Sequence, residues 1–246
     1  MLIFVNGYTL GCQPFRPYWS SSKNPNEFLQ AASTYFSDRT LNSETFVNGS
    51  GKWFGSLASL RYSAGKKYAQ ERINSFKSLL PSNEKINLLS HSMGAAFAEG
   101  MIEVFCQNKL PIGKIVHFAP AHARKIKVFP ASQHLARIQI NASDDTILER
   151  FADPFVRGEK WMIPGIKLYG KVHWNPWVYH PKHMADIQKM KRKHQQHPHF
   201  DLKTYAFVFD WLRDLEVLPQ KNKPDQSIIE TKFEAVYMHG KYFELM

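Results

Sequence analysis

The sequence predicts an α/β protein built on a mostly parallel sheet with helices on both faces. Short apolar runs typical of strands alternate with runs of helical spacing. The strand-like runs lie near residues 2–5, 44–48, 85–90, 114–119 and 136–140, and the helical ones near 27–37, 64–80, 93–107 and 201–215. A chain of 246 residues with 43% hydrophobic residues can bury both faces of such a sheet. We therefore expect one domain over residues 1–246.

The segment 85–107 predicts a sharp turn from a strand into a helix, with Ser92 at its centre in the pentapeptide S-H-S-M-G. A serine held at such a turn has a strained backbone and a hydroxyl exposed above the sheet, so it can serve as a nucleophile. The free N–H groups at the start of the helix would favour an oxyanion, with the Met93 N–H as one donor. The alternative is an incidental serine on a strand-to-helix turn.

The stretch LLSHSMGAA resembles the nucleophile segment of the α/β-hydrolase superfamily, particularly of its lipases and esterases. The pattern departs from the family in one place, because Ser90 stands where the first glycine of G-x-S-x-G is usual. The resemblance implies an α/β-hydrolase fold. It also implies a Ser, acid, His triad in that chain order, with the acid after a later strand and the histidine after the last one.

The acid is expected just after the strand-like run LARIQI, where N-A-S-D-D-T-I follows. This stretch is similar to the G-x-x-D-x-x-V setting of the family acid, with Asn141 in the place of the glycine. The resemblance therefore implies Asp144, with Asp145 as the alternative. Either carboxylate could instead cap a helix that begins near Thr146.

The histidine is harder to choose, because many of the 11 histidines crowd into one stretch. They are His173, His180, His183, His194, His197 and His199. In the family the base lies on the loop just before the terminal helix, and DLKTYAFVFDWLRDL has the spacing of that helix. This nominates His199, followed by His197 and then His173.

A zinc site is a second interpretation of the histidine cluster. His180 and His183 lie three residues apart and could ligate zinc from one helical face, with His173 or His194 as a third ligand. No H-E-x-x-H spacing or cysteine pair supports this. We therefore predict no metal and no cofactor, since a Ser-His-Asp triad needs none.

A second oxyanion donor is expected after the first strand, where LIFVNGYTLGC turns at Asn6 and Gly7. This resembles the N-G or H-G oxyanion segment of lipases, in which glycine lets the backbone approach the substrate carbonyl. The resemblance implies the Tyr8 N–H as the donor. An ordinary turn is the alternative, because Asn-Gly is a favoured turn dipeptide.

Residues 151–199 lack clean periodicity but hold Trp161, Trp174, Trp177 and several prolines, which is typical of a cap or a long active-site loop. The alternative is a surface excursion whose aromatic side chains pack onto the core. After Pro219 an edge strand is predicted around Phe233 to Met238.

The charge of the chain and the sequences at its two ends indicate which partners and which cellular compartment to expect. The net charge is +11, and the run Lys189, Lys191, Arg192 and Lys193 beside the predicted cap favours an anionic membrane surface as partner. Nucleic acid is not expected, because no binding motif accompanies the charge. No leader, no transmembrane run and no cysteine motif is evident, which favours a cytoplasmic protein and leaves export without a leader open.

Together these features predict a serine hydrolase that cleaves carboxylic esters, with lipids as the leading substrate class. Two alternatives stay open. One is a hydrolase-fold binding module without catalysis, and the other is an acyltransferase that uses the same nucleophile. The oligomeric state, the acyl-chain length and the head group are not specified by the sequence.

Overall fold

The computed structural model describes residues 1–8, 15–20, 27–38, 41–50, 57–142, 163–164, 168–174, 206, 208–209, 212–213 and 241–245. For residues 141–142, 168–174 and 241–245 it describes the backbone.

A seven-stranded sheet forms the centre of the described chain. Its strands are β1 (Leu2–Asn6), β2 (Phe46–Asn48), β3 (Ile86–His91), β4 (Ile112–Phe118), β5 (Arg137–Ala142), β6 (Leu168–Trp174) and β7 (Lys241–Leu245). Their order across the sheet is β2-β1-β3-β4-β5-β6-β7. Strands β1 to β6 pair in parallel, and β7 pairs antiparallel with β6. The predicted mostly parallel sheet is confirmed.

Helices connect the strands and cover the sheet. They are α1 (Arg16–Trp19), α2 (Glu27–Phe36), α3 (Ala58–Glu71), α4 (Ile73–Leu79) and α5 (Gly94–Gln107). Short 3₁₀ turns occur at Ser43–Thr45, Ala123–Lys125 and Pro130–Ser132. Residues 206, 208–209 and 212–213 are helical as well, within the predicted terminal helix. None of the helices in the described ranges is both long and apolar enough to cross a membrane.

Alternation along the strands divides the core into two apolar layers, one on each face of the sheet. On one face Phe4, Leu89 and Phe118 pack against side chains of α1, α2 and helical residue Phe209. On the other face Ile3 and Leu88 pack against α3, α4 and α5. Both layers are fully buried at their centres, which confirms that helices cover both faces.

Helices α3 and α5 approach each other closely through two glycines. A Cβ atom on Gly65 would lie 2.0 Å from the Phe97 carbonyl oxygen, and one on Gly100 would lie 2.0 Å from the Tyr62 carbonyl oxygen. Only glycine permits this separation at both positions. The contact fixes α5 against the rest of the layer, and α5 begins two residues after Ser92.

Two elements differ from the sequence predictions, and a third lies outside the described residues. Strand β6 lies inside the segment 151–199 that was predicted as a cap or loop, so at least residues 168–174 belong to the sheet. Its sequence LYGKVHW mixes glycine, lysine and histidine among its apolar residues, which hides the period-two pattern. The helix predicted over 64–80 is two helices, because the backbone leaves the helical region at Arg72, with φ −118° and ψ 12°. The strand predicted near 233–238 lies outside the described residues, and β7 follows it.

Candidate active site

The chain turns sharply at Ser92, between the end of β3 and the start of α5. Ser92 has φ 53°, in the left-handed region, and Met93 then has helical angles. A residue with a Cβ atom pays about 1–2 kcal/mol in that region, so the fold must impose it. The Ser92 N–H donates to the Phe118 carbonyl at 2.9 Å, and the Ser92 carbonyl accepts from the Ala95 N–H at 3.2 Å. The turn is therefore tied to β4 on one side and to α5 on the other.

Other left-handed residues lie along the same edge of the sheet. Ala119 has φ 44° directly after β4, and His122 has φ 57° in the loop that follows. Unfavourable backbone angles of this kind concentrate at functional sites. The edge is also the one formed by the carboxyl ends of the parallel strands, where ligands bind in open α/β sheets.

The loop after β1 packs directly against Ser92. A Cβ atom on Gly7 would lie 2.6 Å from the Ser92 Cβ, 2.8 Å from the His91 carbonyl oxygen and 3.2 Å from the Ser92 Oγ. A Cβ on Gly94 would lie 2.6 Å from the Asn6 carbonyl oxygen. The absence of side chains at these two glycines lets the Gly7–Tyr8 segment and the start of α5 meet at Ser92.

The structure thus brings together Ser92 and both segments that the sequence nominated for oxyanion donors. Met93 precedes the first residue of α5 and is 3% exposed. The Met93 backbone N–H donates no hydrogen bond to any of the described residues. An N–H at the start of a helix carries partial positive charge, so it can stabilise an anion beside Ser92.

A polar network holds the β1 loop to the β2 loop. The Asn6 side chain is fully buried and donates through Nδ2 to the Gly7 carbonyl oxygen at 2.8 Å and to Asn48 Oδ1 at 3.1 Å. Its Oδ1 accepts from the Phe15 N–H at 3.3 Å. Asn48 Oδ1 also accepts from the hydroxyl of Ser50 at 2.6 Å.

A buried arginine supports the same corner. Arg61 is 3% exposed and donates through Nη1 to the Gly49 carbonyl oxygen at 2.7 Å. Burial lowers the pKa of Arg61 to about 10, and the field of Tyr8 opposes this shift. Burial and the charges of Lys125 and Arg61 lower the pKa of His122. The positive charge of Arg61 therefore acts on His122, at the edge of the sheet that carries the candidate site.

Beneath Ser92 lies a second polar cluster, which is fully buried. Ser90, His117 and Gln139 stand side by side on β3, β4 and β5. The Ser90 hydroxyl lies 2.6 Å from His117 Nδ1, and His117 Nε2 lies 3.1 Å from Glu99 Oε1 on α5. A neutral imidazole with its proton on Nε2 satisfies both contacts.

Glu99 is also paired with Arg137 of β5. The guanidinium donates from Nε to Oε1 at 2.9 Å and from Nη2 to Oε2 at 3.1 Å, a two-point contact. Its Nη1 and Nη2 also donate to the carbonyl and the hydroxyl of Ser132. Burial alone would raise the pKa of Glu99, but the hydrogen bonds from His117 and Arg137 outweigh burial and lower it.

Sequence reasoning missed this cluster. In the sequence Ser90 is evident only as a departure from the usual glycine, and nothing marks His117 as its partner. The two residues belong together, because a hydroxyl in place of the glycine needs a buried partner and His117 supplies it. One pattern could have revealed the cluster, namely a polar residue at matching positions of the three successive strands β3, β4 and β5.

The remaining nominated residues fall largely outside the described chain. Asp144 and Asp145, like His197 and His199, lie outside the described residues, so their roles stay predictions. Along the chain both aspartates follow the carboxyl end of β5, which closes at Ala142. His173, the third candidate base, lies within β6, opposite Tyr242 of β7. Because the base is expected on a loop and His173 lies in a strand, this position favours the two later candidates, His197 and His199.

A protein metal site needs several histidine, cysteine or carboxylate side chains gathered in one cluster. Within the described ranges, no group of three histidine, cysteine, aspartate or glutamate residues is arranged to hold a metal ion. The histidines of the alternative zinc site, His180, His183 and His194, lie outside those ranges.

Comparison with known proteins gives structural resemblance and no relationship in sequence. No family model matches the chain, and no curated protein matches it. Among solved structures, phospholipase PlaB from Legionella pneumophila in complex with thio-NAD matches 63% of this chain and 40% of its own, at 10% identity and a TM-score of 0.37. A metagenomic carboxyl esterase matches 87% of this chain and 75% of its own, at 13% identity and a TM-score of 0.36.

The chain thus spans less than half the length of the phospholipase that it resembles. Matches at this level of identity and TM-score support no conclusion about activity.

Proposed function

We propose that this protein is a serine hydrolase that cleaves carboxylic esters through an acyl-enzyme. The observation that carries the proposal is Ser92, held at φ 53° between a buried strand and a buried helix at the carboxyl edge of a parallel sheet. A nucleophile elbow requires such a turn, so this geometry supports the proposal. A nucleophilic serine must be presented in this manner.

In the proposed reaction the Ser92 hydroxyl attacks the ester carbonyl carbon, and its proton passes to His199. The tetrahedral oxyanion is held by the N–H groups of Met93 and Tyr8. Collapse expels the alcohol, which takes the proton from His199, and water then hydrolyses the acyl-enzyme by the same steps in reverse. Asp144 orients the imidazole and stabilises its charged form.

The test compares Ser92→Ala with a serine of similar backbone geometry elsewhere. Ser37 has φ 54° and is exposed at the end of α2, next to Asp38, whose side chain binds the amino end of β1. It therefore lies at the opposite edge of the sheet. We expect Ser92→Ala to lower p-nitrophenyl ester turnover by about 10³-fold or more and Ser37→Ala to leave it unchanged.

A fluorophosphonate probe supplies a second readout, since it reacts covalently only with an activated serine. Labelling that maps to Ser92 and vanishes in Ser92→Ala supports the proposal. If the wild-type protein is neither labelled nor active, the elbow belongs to a binding module. If it is labelled but transfers its acyl group to added alcohols in preference to water, it is an acyltransferase.

Lipids are the proposed class of ester. Phe15, Leu57 and Leu60 are large apolar side chains that are 49%, 63% and 60% exposed. Phe15 follows the carboxyl end of β1, and Leu57 and Leu60 lie at the start of α3, which connects β2 to β3. A connection between parallel strands leaves the sheet at the carboxyl end of one strand and crosses back to begin the next. Because all three residues lie early in such connections, we place them near the edge that carries Ser92. We propose that these side chains contact the apolar part of a lipid substrate, on the basis of their position along this edge.

The basic run nominated by the sequence would add attraction to anionic head groups. We expect binding to phosphatidylserine vesicles that weakens with salt, and faster hydrolysis of long acyl esters than of acetate. Replacing Lys189, Lys191, Arg192 and Lys193 by Gln should weaken vesicle binding and leave turnover of a soluble short ester unchanged. A preference for acetate esters would indicate a small-molecule esterase instead.

A further inference from the structure

The peptide that joins Gly7 to Tyr8 is fixed by a side chain on its own strand. Asn6 is the last residue of β1, and its side chain is fully buried. Its Nδ2 donates to the Gly7 carbonyl oxygen at 2.8 Å. No cis peptide bond occurs in the described residues, so the Tyr8 N–H points away from that carbonyl oxygen. Holding the oxygen therefore sets the direction of the Tyr8 N–H.

Asn6 is itself held from two further directions. Its Nδ2 also donates to Asn48 Oδ1 at 3.1 Å, and its Oδ1 accepts from the Phe15 N–H at 3.3 Å. Asn48 in turn accepts from the N–H of Ser50 at 3.1 Å. The amide therefore cannot rotate without breaking buried hydrogen bonds, which is costly. An amide fixed in this way is a rigid support for the peptide beside it.

The peptide that it supports lies against Ser92. The contact between Gly7 and Ser92 is so close that a Cβ on Gly7 would lie 3.2 Å from the Ser92 Oγ. We infer that Asn6 is a positioning residue that orients the Tyr8 N–H as an oxyanion donor. The inference rests on the proposed function, because an oxyanion forms only if Ser92 attacks a carbonyl carbon. Asn6 touches no reacting atom and acts through the Gly7–Tyr8 peptide.

The test is Asn6→Ala, with two control substitutions. Asn48→Ala removes the other acceptor of Asn6 Nδ2 and leaves the bond to Gly7 in place. Asn108→Ala removes a side-chain donor of the same type, since Asn108 Nδ2 donates to the Val104 carbonyl oxygen at 3.0 Å. Asn108 follows the last residue of α5, which places it about 20 Å along the helix from Ser92 at 1.5 Å per residue.

Transition-state binding distinguishes positioning from a structural role. An alkyl boronic acid forms a tetrahedral adduct with an activated serine and places an oxygen where the oxyanion would lie. We expect Asn6→Ala to lower kcat about 10- to 100-fold and to weaken boronic acid inhibition by a similar factor, with KM changed by less than about threefold. Asn48→Ala should have a smaller effect on both, and Asn108→Ala none.

Several outcomes would overturn the inference. The inference is wrong if Asn6→Ala keeps kcat within about twofold of wild type. It is also wrong if the loss of kcat in each of the three variants simply follows the loss of melting temperature. If Asn6→Ala does not fold, Asn6→Ser, which is also too short to hold the Gly7 oxygen, is measured with the same expectation. Failure of the proposed function gives a different result, because the wild-type protein would then show no fluorophosphonate labelling at Ser92, and both proposals would fall together.

Discussion

The Ser90 hydroxyl lies 2.6 Å from His117 Nδ1, and both residues are fully buried. This contact begins a chain of polar groups that runs from β3 through β4 to Glu99 on α5 and Arg137 on β5. Strands β3, β4 and β5 and helix α5 all contribute to this chain. Because buried polar groups are costly when a partner is lost, the chain specifies how these elements pack together.

The first prediction concerns the stability of this cluster. Glu99→Gln removes the charge that compensates Arg137, which is 0% exposed and so is closed to the solvent that could replace its partner. Breaking one side of a buried ion pair costs about 3–5 kcal/mol, so the free energy of unfolding in urea should fall by that order. Glu71→Gln is the matched control. Glu71 pairs with Lys67 at 3.9 Å on the surface, and its loss should cost about 0.5 kcal/mol or less.

If the two substitutions lower the free energy of unfolding equally, the buried pair contributes no more to stability than an ordinary surface ion pair.

The second prediction is the pH dependence that follows from Glu99. Its pKa is lower in the folded protein than its ordinary value of 4.5, owing to His117 and Arg137 acting against burial. The unfolded state therefore binds the proton more readily, and Glu99 adds stability above pH 4.5 that is lost as the pH falls through the folded-state pKa. The free energy of unfolding in urea, measured as the pH falls below the ordinary value of 4.5, should depend less on pH in Glu99→Gln than in the wild-type protein. Parallel curves for the two proteins would contradict this assignment.

The fold could be predicted where its elements bury continuous apolar residues. Strands β1, β3 and β4 are central, and each holds adjacent aliphatic residues that are fully buried, so the prediction agrees with the structure within about two residues. Strand β6 could not be predicted in this way. It lies next to the edge strand, and its two aliphatic residues, Leu168 and Val172, are separated by tyrosine, glycine and lysine, so its sequence is not distinguished from a loop.

The candidate site was predictable in the parts that depend on local backbone geometry. The turn at Ser92 requires Gly94 and a strand before it, and both are visible in one short segment. The cluster of Ser90 and His117 depends on the pairing of two strands that are far apart in the chain, and a single sequence does not show that register. Asn6 was read as part of a turn, and its bond to the Gly7 oxygen depends on the three-dimensional path of the loop.

The third prediction separates the two aspartates after β5. A carboxylate that orients the base is needed for turnover, whereas one that caps a helix is needed for stability. Asp144→Asn should lower kcat for p-nitrophenyl esters about 10³-fold or more with little change in melting temperature. Asp145→Asn should retain activity and cost about 1 kcal/mol of stability. If Asp145→Asn abolishes turnover and Asp144→Asn does not, the two roles are exchanged.

The fourth prediction concerns the contact between the β1 loop and Ser92. In Gly7→Ala the new methyl group would lie 2.6 Å from the Ser92 Cβ and 2.8 Å from the His91 carbonyl oxygen. Both neighbours belong to the rigid turn, so either the Tyr8 segment or Ser92 must move. Displacing a reacting group in this way lowers the rate about 10²-fold. Fluorophosphonate labelling of Ser92 should therefore slow by a similar factor.

Gly113→Ala is the control for this substitution. Gly113 lies near the amino end of β4, at the opposite edge of the sheet, and a Cβ there would meet the side chain of Asn87. It should therefore lower stability without changing the labelling rate. Since both variants add one methyl group beside a strand, a loss of labelling in Gly7→Ala alone would locate the effect at Ser92. Equal labelling rates for Gly7→Ala and wild type would mean that the β1 loop has no part in presenting Ser92 or its oxyanion donors.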